Sequence, residues 1–340
     1  IIDRAMKKII ITGANGFVGS FAVEQALADG YEVWAAVRRG ADLRYLTDER
    51  IHLLYLDYAD EEGMRQIFSD LLRTEGPLDG VIHCAGATKC RHLTDFKRIN
   101  TEYTERLARL LVETGLLRGR FVYVSSLSVF GPIHEDDNRP YTAQDTLRPN
   151  TAYGRSKLDA ETALPAIAGL DHIILRPTGV YGPREHDYYK MAKSIAMGID
   201  FAVGFKPQTI TFIYVKDLAA AALDALQYGQ AGAAYNLSDG CDYNSRDYSD
   251  LLQKEIGAKS VLHLKAPLWV LKAACLVSET VAGFSGKAAT LNGDKYRILR
   301  QRNWRCDIRP AQDELHYRPH YSLAQGVKET VGWYLENGWL

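Results

Sequence analysis

Short runs of β-branched and aliphatic residues alternate with longer amphipathic stretches through the first half of the chain. This alternation is typical of βαβ units and predicts a parallel sheet. Several runs are apolar at consecutive positions, which suits strands that helices cover on both faces. The fold class predicted is therefore α/β, with a doubly wound parallel sheet. The predicted strands are Lys8–Thr12, Glu32–Val37, Ile51–Leu56, Gly80–Cys84, Arg120–Ser125 and His172–Leu175.

The regular alternation ends near Pro177, where segments interrupted by glycine and proline begin. We expect residues 210–237 to return to the sheet and the chain from Ala266 onward to be mostly helical. Because no internal repeat or low-complexity linker is present, we expect two interleaved units rather than two tethered domains. Their predicted bounds are 6–176 for the sheet and 177–340 for a smaller, mainly helical C-terminal lobe.

Composition narrows the classes of function. Of the 340 residues, 46% are hydrophobic and 24% charged, which argues for a globular chain and against disorder. The 41 Lys and Arg nearly balance the 42 Asp and Glu, so no strong field exists to hold a nucleic acid. Five cysteines without disulfide or metal spacing indicate a reducing compartment. With no signal-peptide pattern at the first residues, we expect a cytoplasmic location.

A long apolar stretch, Ala266 to Phe284, contains Lys272 and Glu279 and is not predicted to span a membrane. One hypothesis is that this stretch and the basic residues after it touch a membrane surface or an apolar substrate. The alternative, which we favour, is a core helix of the C-terminal lobe. The basic residues concerned are Lys287, Lys295, Arg297, Arg300, Arg302, Arg305 and Arg309.

A glycine-rich segment follows the first predicted strand and opens a helix, in the sequence KKIIITGANGFVGS. Gly13 permits a tight turn, Gly16 lets backbone N–H groups approach a pyrophosphate, and Gly19 lets helix and strand pack closely. The helix N-terminus then faces the anion with its free N–H groups. The alternative is a glycine-rich turn without a ligand, which the position at the first βα turn disfavours.

Tyr153 and Lys157 lie four residues apart, so on a helix they share one face. An ammonium beside a phenol favours the phenolate, and we expect it to lower the pKa of Tyr153. A preceding strand end offers three hydroxyls, those of Ser125, Ser126 and Ser128, for a hydrogen bond to a substrate oxygen. A Tyr-x-x-x-Lys pair alone also occurs by chance on solvated helices.

The Gly-x-x-Gly-x-x-Gly loop resembles that of the extended short-chain dehydrogenase/reductase superfamily. Further matching motifs run through nearly the whole chain: LYLDYAD, HCAGAT, INTEYT, VSSLSVFG, YGRSK, RPTGVYGP and FIYVKDLA. The resemblance implies a dinucleotide-binding Rossmann domain at 6–176 and a substrate lobe at 177–340. It also implies catalytic roles for Tyr153, Lys157 and Ser126, with Ser125 as the reserve candidate for the serine, and a water-holding, proton-relay role for Asn100.

The resemblance further assigns a cofactor-binding set, with Asp57 against the adenine. The set comprises Gly13, Asn15, Gly16, Phe17, Val18, Gly19, Arg38, Asp57, Tyr58, Ala85, Tyr153, Lys157 and Pro177. No metal is expected, because the nine histidines lack metal-ligand spacing and His83 suits a buried, hydrogen-bonded role. A serine hydrolase is not expected either, since no Gly-x-Ser-x-Gly elbow occurs.

Arg38 stands nineteen residues past the last glycine of the loop, where NAD enzymes carry an acidic residue. An arginine there accommodates the 2′-phosphate of NADP, so NADP is the predicted cofactor and NAD the alternative. Stacking of Arg38 on the adenine of NAD is the competing interpretation.

The substrate prediction depends on departures from the family pattern. Leu127 and Ser128 stand where sugar-nucleotide dehydratases carry Asp-Glu, which disfavours elimination. Arg176-Pro177-Thr178-Gly179 lacks the asparagine that nucleotide-sugar members use. The C-terminal region looks more like the 3β-hydroxysteroid dehydrogenase and dihydroflavonol reductase-like group, which implies an NAD(P)-dependent oxidoreductase of an apolar ketone or secondary alcohol. The alternatives are a nucleotide-sugar epimerase and a non-catalytic dinucleotide sensor or assembly factor. A small-molecule substrate is the expected partner, and a second copy of the chain is a candidate.

Overall fold

A seven-stranded parallel sheet organises the first two thirds of the chain, in the strand order β11-β6-β5-β4-β1-β2-β3. The computed structural model describes residues 7–285 and 291–340, with side chains at all of these except 281–285. The strands are β1 Lys8–Thr12, β2 Glu32–Val37, β3 Ile51–Tyr55, β4 Leu78–His83, β5 Leu117–Val124, β6 His172–Pro177, β7 Gly179–Tyr181, β8 Ile199–Val203, β9 Thr209–Ile210, β10 Phe212–Tyr214, β11 Ala234–Leu237, β12 Tyr243–Asn244 and β13 Leu262–Ala266.

Helices cover this sheet and build most of the C-terminal lobe. The α-helices are α1 Phe17–Ala28, α2 Glu61–Glu75, α3 Leu93–Phe96, α4 Tyr103–Glu113, α5 Ala152–Ala163, α6 His186–Ala196, α7 Val215–Asp224, α8 Asp247–Ile256, α9 Leu268–Ser285, α10 Gly293–Arg300, α11 Arg309–Glu314 and α12 Leu323–Glu336. A π-helix, Lys97–Glu102, runs directly into α4. Of the helices described, none is long and apolar enough to cross a bilayer.

Alternation of side chains along the strands divides the sheet's core into two layers. Ile9 and Ile11 pack with α1 and α7 on one face, whereas Ile10 packs on the other face against the α2 and α4 layer. All three isoleucines are fully buried. Because both faces are covered, the predicted α/β class with a doubly wound parallel sheet is confirmed.

The predicted strand bounds agree with the structure where apolar residues run without interruption, as in β1 and β2. β5 begins at Leu117, three residues before the prediction, because Leu117 pairs with Leu78 ahead of a polar part that contains Arg118 and Arg120. A register shift between β4 and β5 lies in this same polar part. β11, within the segment 210–237, pairs with β6 at the edge of the sheet.

The C-terminal lobe contains helices together with three two-stranded sheets, which pair β7 with β10, β9 with β12, and β8 with β13. Its own core is rich in tyrosine, and Tyr181, Tyr214 and Tyr334 are almost completely buried there. Ser322 begins α12 with a capping box in which its side chain accepts from the backbone N–H of Gln325. The lobe therefore folds around a separate aromatic cluster beside the sheet.

Candidate active site

The glycine loop lies at the carboxyl end of β1, where the strand order reverses between β1 and β4. Gly13 has φ +62°, and a Cβ there would lie 2.8 Å from the Cα of Ala85, the second residue after β4. A Cβ on Gly19 would collide with the carbonyl oxygen of Gly13. These glycines therefore let the backbone of the loop, of α1 and of the residues after β4 approach more closely than side chains would allow, and we call this compact turn the glycine cradle.

Helix α1 begins directly at this cradle. Its cap is Gly16, whose N–H donates to the carbonyl oxygen of Gly13 at 2.9 Å, and no described side chain caps the first turn. The first N–H groups of α1 are thus available to an anion, and the helix dipole favours negative charge there. Asn15, Phe17 and Val18 are half-buried around the turn. The cradle and the helix end together fit the pyrophosphate of a dinucleotide.

The remaining predicted cofactor residues follow the carboxyl ends of neighbouring strands, on the same edge of the sheet. Arg38 is exposed directly after β2, and Asp57 is exposed two residues after β3, where its carboxylate accepts from the N–H of Ala59 at 3.0 Å. Tyr58 stacks on Tyr103 with the ring centroids 5.9 Å apart.

Ala85 follows β4 and donates its N–H to Thr12 Oγ1 at 3.2 Å. Pro177 is the last residue of β6. With the glycine loop and the residues after β2 and β3, these positions complete one continuous edge along which an extended dinucleotide can lie.

Tyr153 lies in the first turn of α5 and faces the carboxyl end of β5. Burial raises its pKa to about 12, and a hydrogen bond with Ser126 acts in the opposite direction. Phe96 packs edge-on against the Tyr153 ring, with the centroids 6.2 Å apart. The side chain of Ser126 accepts from Ser128 Oγ at 2.9 Å, so this hydroxyl is held beside the phenol.

Lys157 lies one turn further along α5 and is almost completely buried. Its ammonium donates to the carbonyl oxygen of Val124 at 2.9 Å and lies 4.8 Å from the ring centroid of Tyr123. Burial lowers its pKa to about 8, with Cys84 and Glu161 acting in the opposite direction. The expected lowering of the Tyr153 pKa is wrong for this arrangement, because desolvation of the phenol raises the pKa by more than the hydrogen bond with Ser126 lowers it.

Asn100 occupies the π-helix, a form of backbone often found at functional sites. Its Oδ1 accepts from the N–H of Ala87 at 2.7 Å, and its Nδ2 donates to the carbonyl oxygen of Ala87 and to Ser156 Oγ. A Cβ on Gly86 would lie 3.1 Å from Asn100 Oδ1 and 3.4 Å from Lys157 Nζ. Asn100 therefore fixes the loop after β4 to α5, directly beside Lys157.

A buried ion pair below Lys157 was missed in the sequence. Glu161 accepts from Arg176 with a shortest distance of 2.6 Å, and the guanidinium lies 5.3 Å from the ring centroid of Phe130. Ser125 Oγ donates to Glu161 at 2.5 Å. Since Ser125 is engaged in this pair, the geometry favours Ser126 for contact with a substrate. The spacing of Glu161, four residues after Lys157, indicates only that these two share a helix face and does not point to Arg176.

His83, in β4, lies between two threonine hydroxyls. Its Nδ1 is 2.7 Å from Thr12 Oγ1 and its Nε2 is 2.9 Å from Thr104 Oγ1. Burial, followed by the nearby charge of Lys157, lowers its pKa to about 3, so the ring is neutral at pH 7. Over residues 7–285 and 291–340, no three His, Cys, Asp or Glu side chains gather as a metal site.

Asp294 connects the C-terminal lobe to the site and was also missed. This almost fully buried carboxylate of α10 accepts from the N–H of Ala152 at 2.7 Å and that of Tyr153 at 3.4 Å. Thr151 caps the same helix end by accepting from the N–H of Gly154. A negative charge at a helix N-terminus is stabilising, so the lobe holds the turn that carries Tyr153.

Comparison with known proteins places these features in a family. The model of the NAD dependent epimerase/dehydratase family matches residues 9–238, which include every predicted catalytic and cofactor residue. The structure superposes with a TM-score of 0.76 on a dTDP-glucose 4,6-dehydratase from Bacillus anthracis str. Ames solved in complex with NAD. That chain is 18% identical, and 97% of each chain is covered.

Curated relatives act on different substrates. A UDP-glucose 4-epimerase from Vibrio cholerae is 26% identical over 350 residues, covering 98% of both chains. A decarboxylating sterol-4-alpha-carboxylate 3-dehydrogenase from Dictyostelium discoideum is 23% identical, covering 91% of this chain and 100% of the relative. A ceramide reductase from Caulobacter vibrioides is 24% identical, covering 98% and 96%.

Proposed function

This chain belongs to the NAD dependent epimerase/dehydratase family and uses a nicotinamide dinucleotide, and we propose that it is an NADP-dependent reductase of an apolar ketone. The observation that carries the proposal is the pair of hydroxyls, Tyr153 and Ser126, at the carboxyl end of β5 beside the glycine cradle. Both hydroxyls can reach one substrate oxygen there.

The protonation state of Tyr153 is the one that reduction requires. With a pKa raised to about 12, its phenol is protonated at neutral pH and can give a proton to a carbonyl oxygen. Ser126 donates a hydrogen bond to the same oxygen as negative charge develops on it. When bound, the nicotinamide supplies the hydride. The buried ammonium of Lys157 sets a positive charge beneath the site, which favours that developing negative charge.

Three observations support an apolar substrate. Leu127 and Ser128 stand where an elimination enzyme carries two acids, and both are buried. Phe96 packs on Tyr153, and Leu93, three residues before it, is largely exposed. Two relatives of similar length, the sterol dehydrogenase and the ceramide reductase, are named for lipid substrates.

A nucleotide-sugar epimerase is the second candidate, because the UDP-glucose 4-epimerase of Vibrio cholerae covers nearly the whole chain. Epimerisation would show no net change in nicotinamide absorbance, whereas ketone reduction consumes the reduced cofactor. Incubation with UDP-glucose and analysis of the sugar product therefore separates the two functions.

Tyr153→Phe is expected to preserve cofactor binding and to lower turnover about 10²- to 10⁴-fold, because a positioned proton donor is lost. Nicotinamide absorbance on a panel of sterol, long-chain and flavonoid ketones measures the activity, and calorimetry measures cofactor binding. Tyr228→Phe, at an exposed position, is the matched control. A fully active Tyr153→Phe variant on a substrate of the wild type would contradict the proposed reaction.

Arg38→Asp is expected to reverse the cofactor preference from NADPH to NADH. Loss of a charge-assisted contact with the 2′-phosphate costs about 1.5 to 3 kcal/mol, or roughly 10- to 150-fold in affinity. Calorimetry with both cofactors measures the change, and Arg73→Asp on the exposed side of α2 serves as the control. Equal affinity of the wild type for NADPH and NADH would show that Arg38 does not select the cofactor.

A further inference from the structure

The small sheet of β8 and β13 has an apolar outer face. The parallel register sets Phe201 beside Leu264 and Ile199 beside Leu262, so all four side chains point to the same side. Phe201 and Leu262 are each 61% exposed. On the opposite side, Asp200 is buried and accepts from Ser249 Oγ at 3.0 Å. This opposite side is therefore packed on the lobe at Asp200, although His263 and Lys265 of β13, which alternation places on the same side, are exposed. The apolar side is largely exposed among the described residues.

Helix α9 carries a second exposed apolar stripe. Trp269, Ala273 and Leu276 recur at the spacing of one helix face, and Val277 lies next to them. Trp269 is 72% exposed, whereas Leu271 and Cys275 on the other side of the helix are buried. Burial of that other side accounts for how α9 attaches to the lobe and leaves the stripe open.

The sheet face and the stripe adjoin. The N–H of Gly204, directly after β8, donates to the carbonyl oxygen of Ala266 at 2.9 Å, and Leu268 of α9 packs over Gly204. Phe205 at this junction is also exposed. We call the whole surface the apolar face. It comprises Phe201, Phe205, Leu262, Leu264, Trp269, Leu276 and Val277.

The charges on these segments are positive. No Asp or Glu occurs between residues 256 and 278, and the acid within 197–210 is the buried Asp200. Four exposed lysines lie on the same segments. Lys265 leaves β13 on the side opposite Leu264, and its ammonium lies 5.8 Å from the ring centroid of Phe205 at the end of the sheet. No carboxylate among the described side chains lies within ion-pair distance of them. They are Lys206, Lys259, Lys265 and Lys272.

The basic residues after α9, in contrast, are mostly engaged. Lys295 pairs with Asp187, and Arg305 pairs with Asp242. Three further arginines also form ion pairs with carboxylates. Those three are Arg297, Arg302 and Arg309. Lys287 lies outside the described residues. The cationic groups nearest the apolar face are therefore the four lysines rather than the tail that the sequence indicated.

We propose that the apolar face and its four lysines bind the surface of an anionic lipid bilayer. Aromatic and aliphatic side chains enter the headgroup boundary while lysine ammonium groups meet lipid phosphates, the combination that peripheral membrane surfaces use. A second copy of the chain fits less well, because a two-fold contact would set lysines against the same lysines. The proposal goes beyond the proposed reaction, since binding is measured without substrate or cofactor.

Flotation of the full chain with vesicles tests the proposal. We expect binding to phosphatidylcholine vesicles that contain about 30% phosphatidylglycerol at low salt, weak binding to pure phosphatidylcholine, and release as ionic strength screens the charges. The double variant K265Q/K272Q is expected to bind about 30-fold more weakly, from roughly 1 kcal/mol for each lysine. K254Q, at an exposed position on α8 where the lysine has Glu255 at 4.0 Å, is the matched control.

The apolar contribution has its own variants. F201S and W269S are expected to lower vesicle binding further at every salt concentration, while L335S on the exposed side of α12 leaves it unchanged. Thermal melting of each variant checks that the fold is retained. If a variant does not fold, the salt and lipid dependence of the wild type still decides the question.

Two results would overturn the proposal. The wild type could remain unbound with anionic vesicles at low salt, which would leave the face without a lipid role. Alternatively, sedimentation could reveal a dimer that W269S dissociates, which would make the face an interface between copies. Either result would leave the assignment of Tyr153 untouched, because that assignment is tested by turnover.

Discussion

In the seven-stranded sheet, Ile9, Ile10 and Ile11 are completely buried in succession, whereas in the β8–β13 sheet Phe201 and Leu262 remain mostly exposed. Both sheets are parallel, yet helices cover both faces of the first and only one face of the second is packed on described residues. In the large sheet, the informative residues are the buried polar ones that build a site. In the small sheet, they are the exposed apolar ones that build a surface.

The largest loss of stability is expected where a substitution leaves a buried charge of the sheet region without its partner. Arg176→Met removes the partner of buried Glu161, and we expect the free energy of unfolding to fall by about 3 to 5 kcal/mol. Urea denaturation measures the loss. Arg118 forms an exposed ion pair with Asp79, and Arg118→Met is expected to change the free energy of unfolding by about 1 kcal/mol or less.

A double variant separates charge burial from packing. Glu161→Leu together with Arg176→Met replaces the pair with apolar groups, and we expect it to recover most of the stability that Arg176→Met loses. If the single Arg176→Met variant is as stable as the wild type, the pair is not held in a dry interior.

Acid should weaken the sheet region through His83. Its pKa is about 3 in the folded chain against an ordinary value of 6.5, so the unfolded chain takes up the proton first as pH falls. The contribution of neutral His83 to the free energy of unfolding is complete above about pH 6.5 and is lost as pH falls toward 3. Between pH 6.5 and 4.5, proton uptake by this histidine in the unfolded chain lowers the free energy of unfolding by about 2 to 3 kcal/mol.

Urea midpoints of the wild type and His83→Gln across this pH range measure the effect. Stability of the variant is expected to fall less steeply than that of the wild type, since the variant lacks the titrating group. His52→Gln, at an exposed position on β3, is the control and should follow the wild type. Parallel curves for wild type and His83→Gln would mean that the histidine is solvated.

The smallest change in stability is predicted for a phenylalanine of the apolar face, which can be compared with a buried phenylalanine of the large sheet. Phe201→Ala is expected to change the free energy of unfolding by no more than about 0.5 kcal/mol, because its ring is already in contact with solvent. Phe121→Ala, on β5 and completely buried, is expected to cost about 3 to 5 kcal/mol. A large loss for Phe201→Ala would show that the apolar face is covered in solution.

The sheet and the glycine loop were predictable because their signals are local. Consecutive apolar residues define β1 and β2, and a strand, three glycines and a helix follow one another within fourteen residues. The Glu161–Arg176 pair could not be predicted, since it joins a helix to a strand through the tertiary fold. The pKa of Tyr153 was predicted in the wrong direction, because the degree of burial is not a property of the Tyr-x-x-x-Lys spacing. Nor does periodicity show whether a partner covers an apolar stripe such as that of α9.

Asp294 imposes an order on how the site is completed. It caps the first turn of α5 from 142 residues further along the chain. During synthesis, the sheet and every predicted catalytic and cofactor residue leave the ribosome before α10 does, and domains generally fold from the N-terminus as they emerge. A nascent chain that ends before α10 therefore has the dinucleotide cradle but not the cap on the Tyr153 turn. In this protein, cofactor binding can precede catalytic competence during biogenesis.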